Sequence, residues 1–293
     1  MIKKLILFSV LIVACGFIAE AQTYKTENIE DVQAKKSMQS WLNSDFGVKP
    51  YKVNYILPLG YREGDYKSYV RTDSYKSVEA ELQVSLKLKV GSDLFGLDEI
   101  YYASYTHQAF WQLYAKSSPF RETTYNPELF VIFPILDDDS VLKMKSLKVA
   151  YAHRSNGQGS NEDLIYPAGY ENPGNRSRSI NYLYTTLTLQ HKTLVTDIEA
   201  WLPIPGSDDD NPDIMDYTGY SSVKFSYFVD KHMITLMGRA NITTGLGAIE
   251  TTYSYPVMDG AYFYAKFFSG YVESLIDYDN YITKFSTGFS FSR

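Results

Sequence analysis

His153 and Ser155, separated by one residue, are of types that can do nucleophilic chemistry together. A serine hydroxyl attacks poorly until a neighbouring base takes its proton. An imidazole is such a base near neutral pH and can return the proton to the leaving group. A third group that fixes the ring tautomer completes the set. Asn181 is the candidate, an amide where a carboxylate is commoner. In this reading Ser155 attacks an ester carbonyl, His153 acts as base and then as acid, and Asn181 holds the imidazole. The spacing alone is a weak pattern, so a second reading stays open: interfacial polar residues near a strand end. The other histidines, His107, His191 and His232, read as structural.

Such a set works only if its members share a face. Successive side chains of an extended strand point to opposite faces. His153 and Ser155 share their parity with Leu147, Val149 and Tyr151, opposite Lys148, Ala150, Ala152 and Arg154. In the next strand-like segment Asn181 shares its parity with Leu183, Thr185, Leu187 and Leu189, opposite Tyr182, Tyr184, Thr186 and Thr188. All three polar residues therefore fall on the apolar face. Polarity there is costly unless it is paired or used.

The same period of two runs through the chain. From Glu79 to Val90, Ala80, Leu82, Val84, Leu86, Leu88 and Val90 alternate with Glu79, Glu81, Gln83, Ser85, Lys87 and Lys89. Ser221–Val229 alternates likewise, as does the C-terminus with Thr283, Phe285, Thr287, Phe289 and Phe291 on one parity. Segments this long, apolar on one face and polar on the other, fit crossings of an outer-membrane β-barrel. The expected fold is all-β: a transmembrane antiparallel barrel of about 12 strands, with long extracellular loops and short periplasmic turns. Asp137-Asp138-Asp139, Gly157 to Asn175 and Gly206 to Asp213 read as connections. A soluble β-sandwich is the competing architecture.

The start of the chain reads as a secretion signal over residues 1–21: Lys3 and Lys4, an apolar run from Leu5 to Ala19, then Ala19-Glu20-Ala21 as a cleavage site. The single cysteine, Cys15, lies inside it, so the mature chain has no disulfide. Residues 22–49 read as a polar periplasmic lead-in with a short helix near Asp31 to Trp41, and residues 50–293 as the barrel. Aromatics make up 16% of the chain, with 27 tyrosines, a composition that suits membrane interfaces. The net charge of −6 includes no basic stripe, so nothing suggests nucleic acid.

Several stretches, in order from about residue 50 to the C-terminus, resemble the outer membrane phospholipase A family of Gram-negative bacteria. His153-Arg154-Ser155-Asn156-Gly157 resembles its His-x-Ser-Asn-Gly motif, and Ser177-Arg178-Ser179-Ile180-Asn181 its Ser-Arg-Ser-x-Asn segment. Ser117 to Thr123, Asp209 to Ile214, and Ser269-Gly270-Tyr271 with Glu273 to Tyr278 resemble further signatures. The resemblance implies a 12-stranded barrel with Ser155 as nucleophile, His153 as base and Asn181 as orienter on its outer wall. It implies a homodimer acting on phospholipid in the outer membrane, with one Ca2+ per active site at the dimer interface. Implied ligands are Ser177 and the Gln158 backbone carbonyl of one subunit and Ser117 of the other. Calcium would then polarise the oxyanion hole together with the Ser155 N–H. The stretch from Gly157 to Ser177 is longer than is usual in that family.

Two other readings fit the periodicity: a non-enzymatic barrel such as a narrow channel, and an inactive relative. Phospholipid vesicles separate them. A channel leaks solute, an enzyme releases fatty acid with calcium, and an inactive relative does neither.

Overall fold

The structure, a computed structural model, describes residues 47–63, 66, 75–135, 143–159, 176–204 and 210–293. The expected signal and most of the expected lead-in, with its helix, lie outside the described residues. So do 136–142, 160–175 and 205–209 of the expected connections.

The strands are β1 (Val48–Pro50), β2 (Tyr55–Arg62), β3 (Val78–Ser92), β4 (Ile100–Trp111), β5 (Phe120–Pro134), β6 (Lys143–Ser155) and β7 (Ser179–His191). They continue as β8 (Leu194–Ile204), β9 (Ser221–Val229), β10 (His232–Ala240), β11 (Gly247–Met258), β12 (Ala261–Gly270) and β13 (Ile282–Ser290). A single helical turn, α1 (Ile214–Thr218), lies between β8 and β9. Each strand from β2 onward pairs antiparallel with its neighbour in sequence, and β13 pairs with β2. These 12 strands close on themselves, so no edge is left to expose unpaired backbone. β1 is an extra piece on β3, pairing Val48 with Leu88 and Pro50 with Leu86.

The alternation read from the sequence sets which residues face out. On β3, Val84, Leu86, Leu88 and Val90 are exposed, whereas Glu79, Glu81 and Ser85 are fully buried. On β13, Phe285 and Phe289 are exposed and Lys284 and Ser286 buried. The outside is thus apolar and the lumen polar, as hydrocarbon requires. Among the described residues no helix is long and apolar enough to cross a membrane.

The two ends of the barrel differ. One carries two-residue turns at 192–193, 230–231 and 259–260. The other carries the longer connections, including 156–178, 205–220 and 271–281. By the usual asymmetry of such barrels the first end is periplasmic and the second extracellular.

Near the loop end the lumen is filled. Arg121 Nε and Nη2 donate to the two carboxylate oxygens of Glu79 (2.9 and 3.0 Å), and its Nη1 donates to Asp277 Oδ2 (2.5 Å). Lys284 Nζ donates to Glu79 Oε1 (2.8 Å) and lies 2.9 Å from Glu273 Oε1. Phe110 and Gln112, both fully buried, pack beside this network. Elsewhere the lumen holds a polar cavity of about 650 Å3, lined by residues such as Lys148, Glu199, Lys224 and Arg239.

Candidate active site

The three polar residues singled out in the sequence meet at the loop ends of β6 and β7. The β6–β7 register sets His153 opposite Asn181 and Ser155 opposite Ser179. Their neighbours of the same parity, Val149, Tyr151 and Leu183, are exposed, whereas Ala150, Ala152 and Tyr184 are buried toward the lumen. The site is therefore on the outer wall, where a lipid can reach it sideways.

Asn181 Oδ1 lies 2.9 Å from His153 Nδ1 and also accepts from the Tyr151 hydroxyl (3.0 Å). An amide oxygen can only accept, so Nδ1 must carry the proton. That leaves Nε2 with its lone pair free to serve as base. Ser155 Oγ accepts from the Gly157 N–H (3.1 Å). The Ser155 and His153 side chains are not hydrogen-bonded to each other.

Local chemistry fixes the site's backbone. The β5–β6 ladder pairs Tyr125 with Ser155 and Glu128 with Ala152, and lapses between them. Pro127 lies in that gap and has no N–H to give. Asn126 Nδ2 donates instead to the His153 carbonyl oxygen (2.9 Å). Gly157 turns the chain at φ 63, a left-handed value that favours glycine. A Cβ there would come within 2.7 Å of the Tyr125 ring.

The expected calcium donors lie in two places. Ser177 lies two residues before β7, whose Ser179 is paired with Ser155, and its Oγ donates to Asp210 Oδ2 (2.5 Å). Gln158 follows the Gly157 turn, its N–H donating to Asn156 Oδ1 (3.2 Å). Ser117 stands apart on the β4–β5 connection, exposed and at φ 64. Among the described residues no cluster of three or more His, Cys, Asp or Glu forms a metal site within one chain. The hydroxyl, carbonyl and carboxylate oxygens at Ser177, Gln158 and Asp210 are nonetheless the hard donors that calcium takes.

Sequence reasoning missed Asp210 and Asn211 as site residues. Asn211, buried, accepts the Ser179 N–H on its Oδ1 (2.9 Å), so the β8–β9 connection braces the start of β7. Farther along, the Tyr278 hydroxyl donates to Asp213 (2.6 Å). Burial, followed by that carboxylate, holds the Tyr278 phenol above its ordinary pKa. Of the remaining histidines, His107 is edge-on to Tyr125, and His232 Nδ1 lies 2.8 Å from the Tyr253 hydroxyl.

The phospholipase A1 family profile matches residues 31–291. A phospholipase A1 of Salmonella typhimurium is 31% identical over 280 residues, covering 92% of each chain. That of Escherichia coli K12 is 32% identical over 251 residues, 84% of this chain and 82% of its own. Among solved structures, outer membrane phospholipase A from Escherichia coli superposes with TM-score 0.74 at 31% identity, over 85% of this chain and 93% of that one. A calcium-bound dimer of the Salmonella typhi outer membrane phospholipase gives TM-score 0.74 at 32% identity, with the same coverage. With a family profile spanning nearly the whole chain and a matching 12-stranded outer-membrane barrel, this chain belongs to the phospholipase A1 family.

Proposed function

We propose that the chain is a calcium-dependent outer-membrane phospholipase A. It hydrolyses acyl esters of phospholipids and lysophospholipids, at sn-1, sn-2 or both, and works as a homodimer. The observation that carries this reading is the Asn181–His153 hydrogen bond on a lipid-facing wall beside Ser155.

A lipid in the outer leaflet lies along the apolar wall formed by Val149, Tyr151 and Leu183, which brings its ester to the loop end. Ser155 Oγ attacks the carbonyl carbon as His153 Nε2 takes its proton. Asn181 keeps the ring in the required tautomer and stabilises the imidazolium. The carbonyl oxygen gains charge beside the N–H groups of Ser155 and Gly157, which serve as donors in place of water. His153 then returns the proton to the departing glycerol oxygen. Water, activated by the same imidazole, releases the fatty acid and restores Ser155.

Ser177 Oγ and the Gln158 carbonyl, with Ser117 of a partner subunit, would hold calcium. When bound it supplies positive charge to the oxyanion hole. The exposed position of Ser117, away from its own chain's triad, supports donation across a dimer.

The test is fatty-acid release from mixed phospholipid–detergent micelles, with calcium and with a chelator, by the natural chain and by Ser155→Ala. Release that requires both calcium and Ser155 is expected. A folded, heat-modifiable barrel that releases nothing would overturn the proposal.

A further inference from the structure

Asn156 lies between Ser155 and Gly157, is almost completely buried, and takes no part in the chemistry above. Its bonds span the base of the β6–β7 connection. The backbone N–H donates to the Arg178 carbonyl (3.0 Å). The side-chain Oδ1 accepts from the N–H of Gln158 (3.2 Å) and of Arg178 (3.0 Å). Nδ2 donates to the Arg176 carbonyl (2.8 Å). One amide thus grips the backbone on both sides of Ser177 and also reaches Gln158.

We infer that Asn156 is a positioning residue that sets the distance between the nucleophile's strand end and the calcium-donor segment. The inference rests on the proposed calcium-dependent serine hydrolysis and deepens it. The paired register of β6 and β7 ends at Ser155 and Ser179. Beyond that point Gln158 and Ser177 belong to two chain ends that would otherwise splay. A hydroxyl and a carbonyl are weak, neutral donors, so their affinity for a cation depends on being held in place beforehand. The same grip orients the Gly157 N–H that meets Ser155 Oγ. Asn156 therefore ties the oxyanion donors and the cation to a single geometry.

The test compares the natural chain with Asn156→Ala and Asn156→Asp, each shown to be folded by heat-modifiable migration. Asn156→Asp keeps an acceptor for the two N–H groups and loses the donor to Arg176. Three readouts are taken: kcat and KM on micellar phospholipid, calcium binding by calorimetry, and tryptic cleavage without calcium. Arg176 and Arg178 are the sole trypsin sites between Ser155 and His191, so cleavage there reports the grip directly. Asn156→Ala is expected to lower kcat and weaken calcium binding by about tenfold or more each, the range for residues that orient metal ligands. KM should change little, cleavage at Arg176 and Arg178 should speed up, and Asn156→Asp should recover part of the calcium affinity. Natural kcat, calcium affinity and cleavage rate in Asn156→Ala, with at most a lower melting temperature, would overturn the inference. If the natural chain releases no fatty acid, the proposed function fails, while calorimetry and proteolysis still decide whether Asn156 holds the segment.

Discussion

Asn181 Oδ1 and His153 Nδ1, 2.9 Å apart on adjacent strands, are directly opposed in the β6–β7 register. The barrel's hydrogen-bond ladder, rather than a loop, therefore aligns the proposed base with its proposed orienter. Asn181→Ala should lower kcat by about 10²-fold, the lower end of what positioned acid–base groups contribute. KM should stay near its natural value, because the amide oxygen is engaged by His153 and Tyr151. Steady-state kinetics on micellar substrate check this. A rise in KM with kcat unchanged would remove Asn181 from the catalytic set.

Gly157→Ala should be severe. The added methyl would meet Tyr125 Cε2 at 2.7 Å, on a backbone at φ 63. The turn must shift, taking with it the N–H that meets Ser155 Oγ. Activity should fall about 10²-fold or more, as when one oxyanion donor is removed. Tyr125→Ala in the same chain should recover part of the loss by making room. No recovery would place the defect in backbone strain alone.

Arg121→Met should destabilise the folded barrel by about 3–5 kcal/mol, because it leaves Glu79 buried without its bidentate partner. Urea unfolding in lipid vesicles, followed by tryptophan fluorescence, measures this. A change below about 1 kcal/mol, the size of a surface ion pair, would mean that water reaches the network.

Val149→Arg tests the facing of the wall. Val149 is mid-strand on β6 and exposed outward. A charge there should cost about 2–4 kcal/mol in a bilayer. Ser222→Arg, which enters the polar cavity, should cost less. Equal costs at both positions would contradict the inside–outside assignment.

Much of this was legible in the sequence because lipid and water impose a period of two. Ser221–Val229 has the same bounds by alternation and by structure, and the parity of Ser155, His153 and Asn181 placed them on the outer wall. What was not legible depends on contacts between distant segments. Nothing local to Asp210 announces that it accepts from Ser177 Oγ, 33 residues away. Nothing local to Asn126 announces that it replaces the N–H missing at Pro127. β1, with three residues, is too short to show a period, and α1 is a single turn whose Ile214 and Met215 bury against Val272 and Leu275.

The filled lumen has a consequence for the cell envelope. Among the described residues, Arg121, Glu79, Lys284 and Phe110 are almost completely buried and obstruct the lumen near the loop end of the tube. The architecture that makes a porin leaky is here obstructed at one end, with a polar cavity elsewhere in the lumen, and its circumference carries the site. Such a barrel should add little to the permeability of the membrane that holds it. Planar-bilayer recordings should accordingly stay electrically silent.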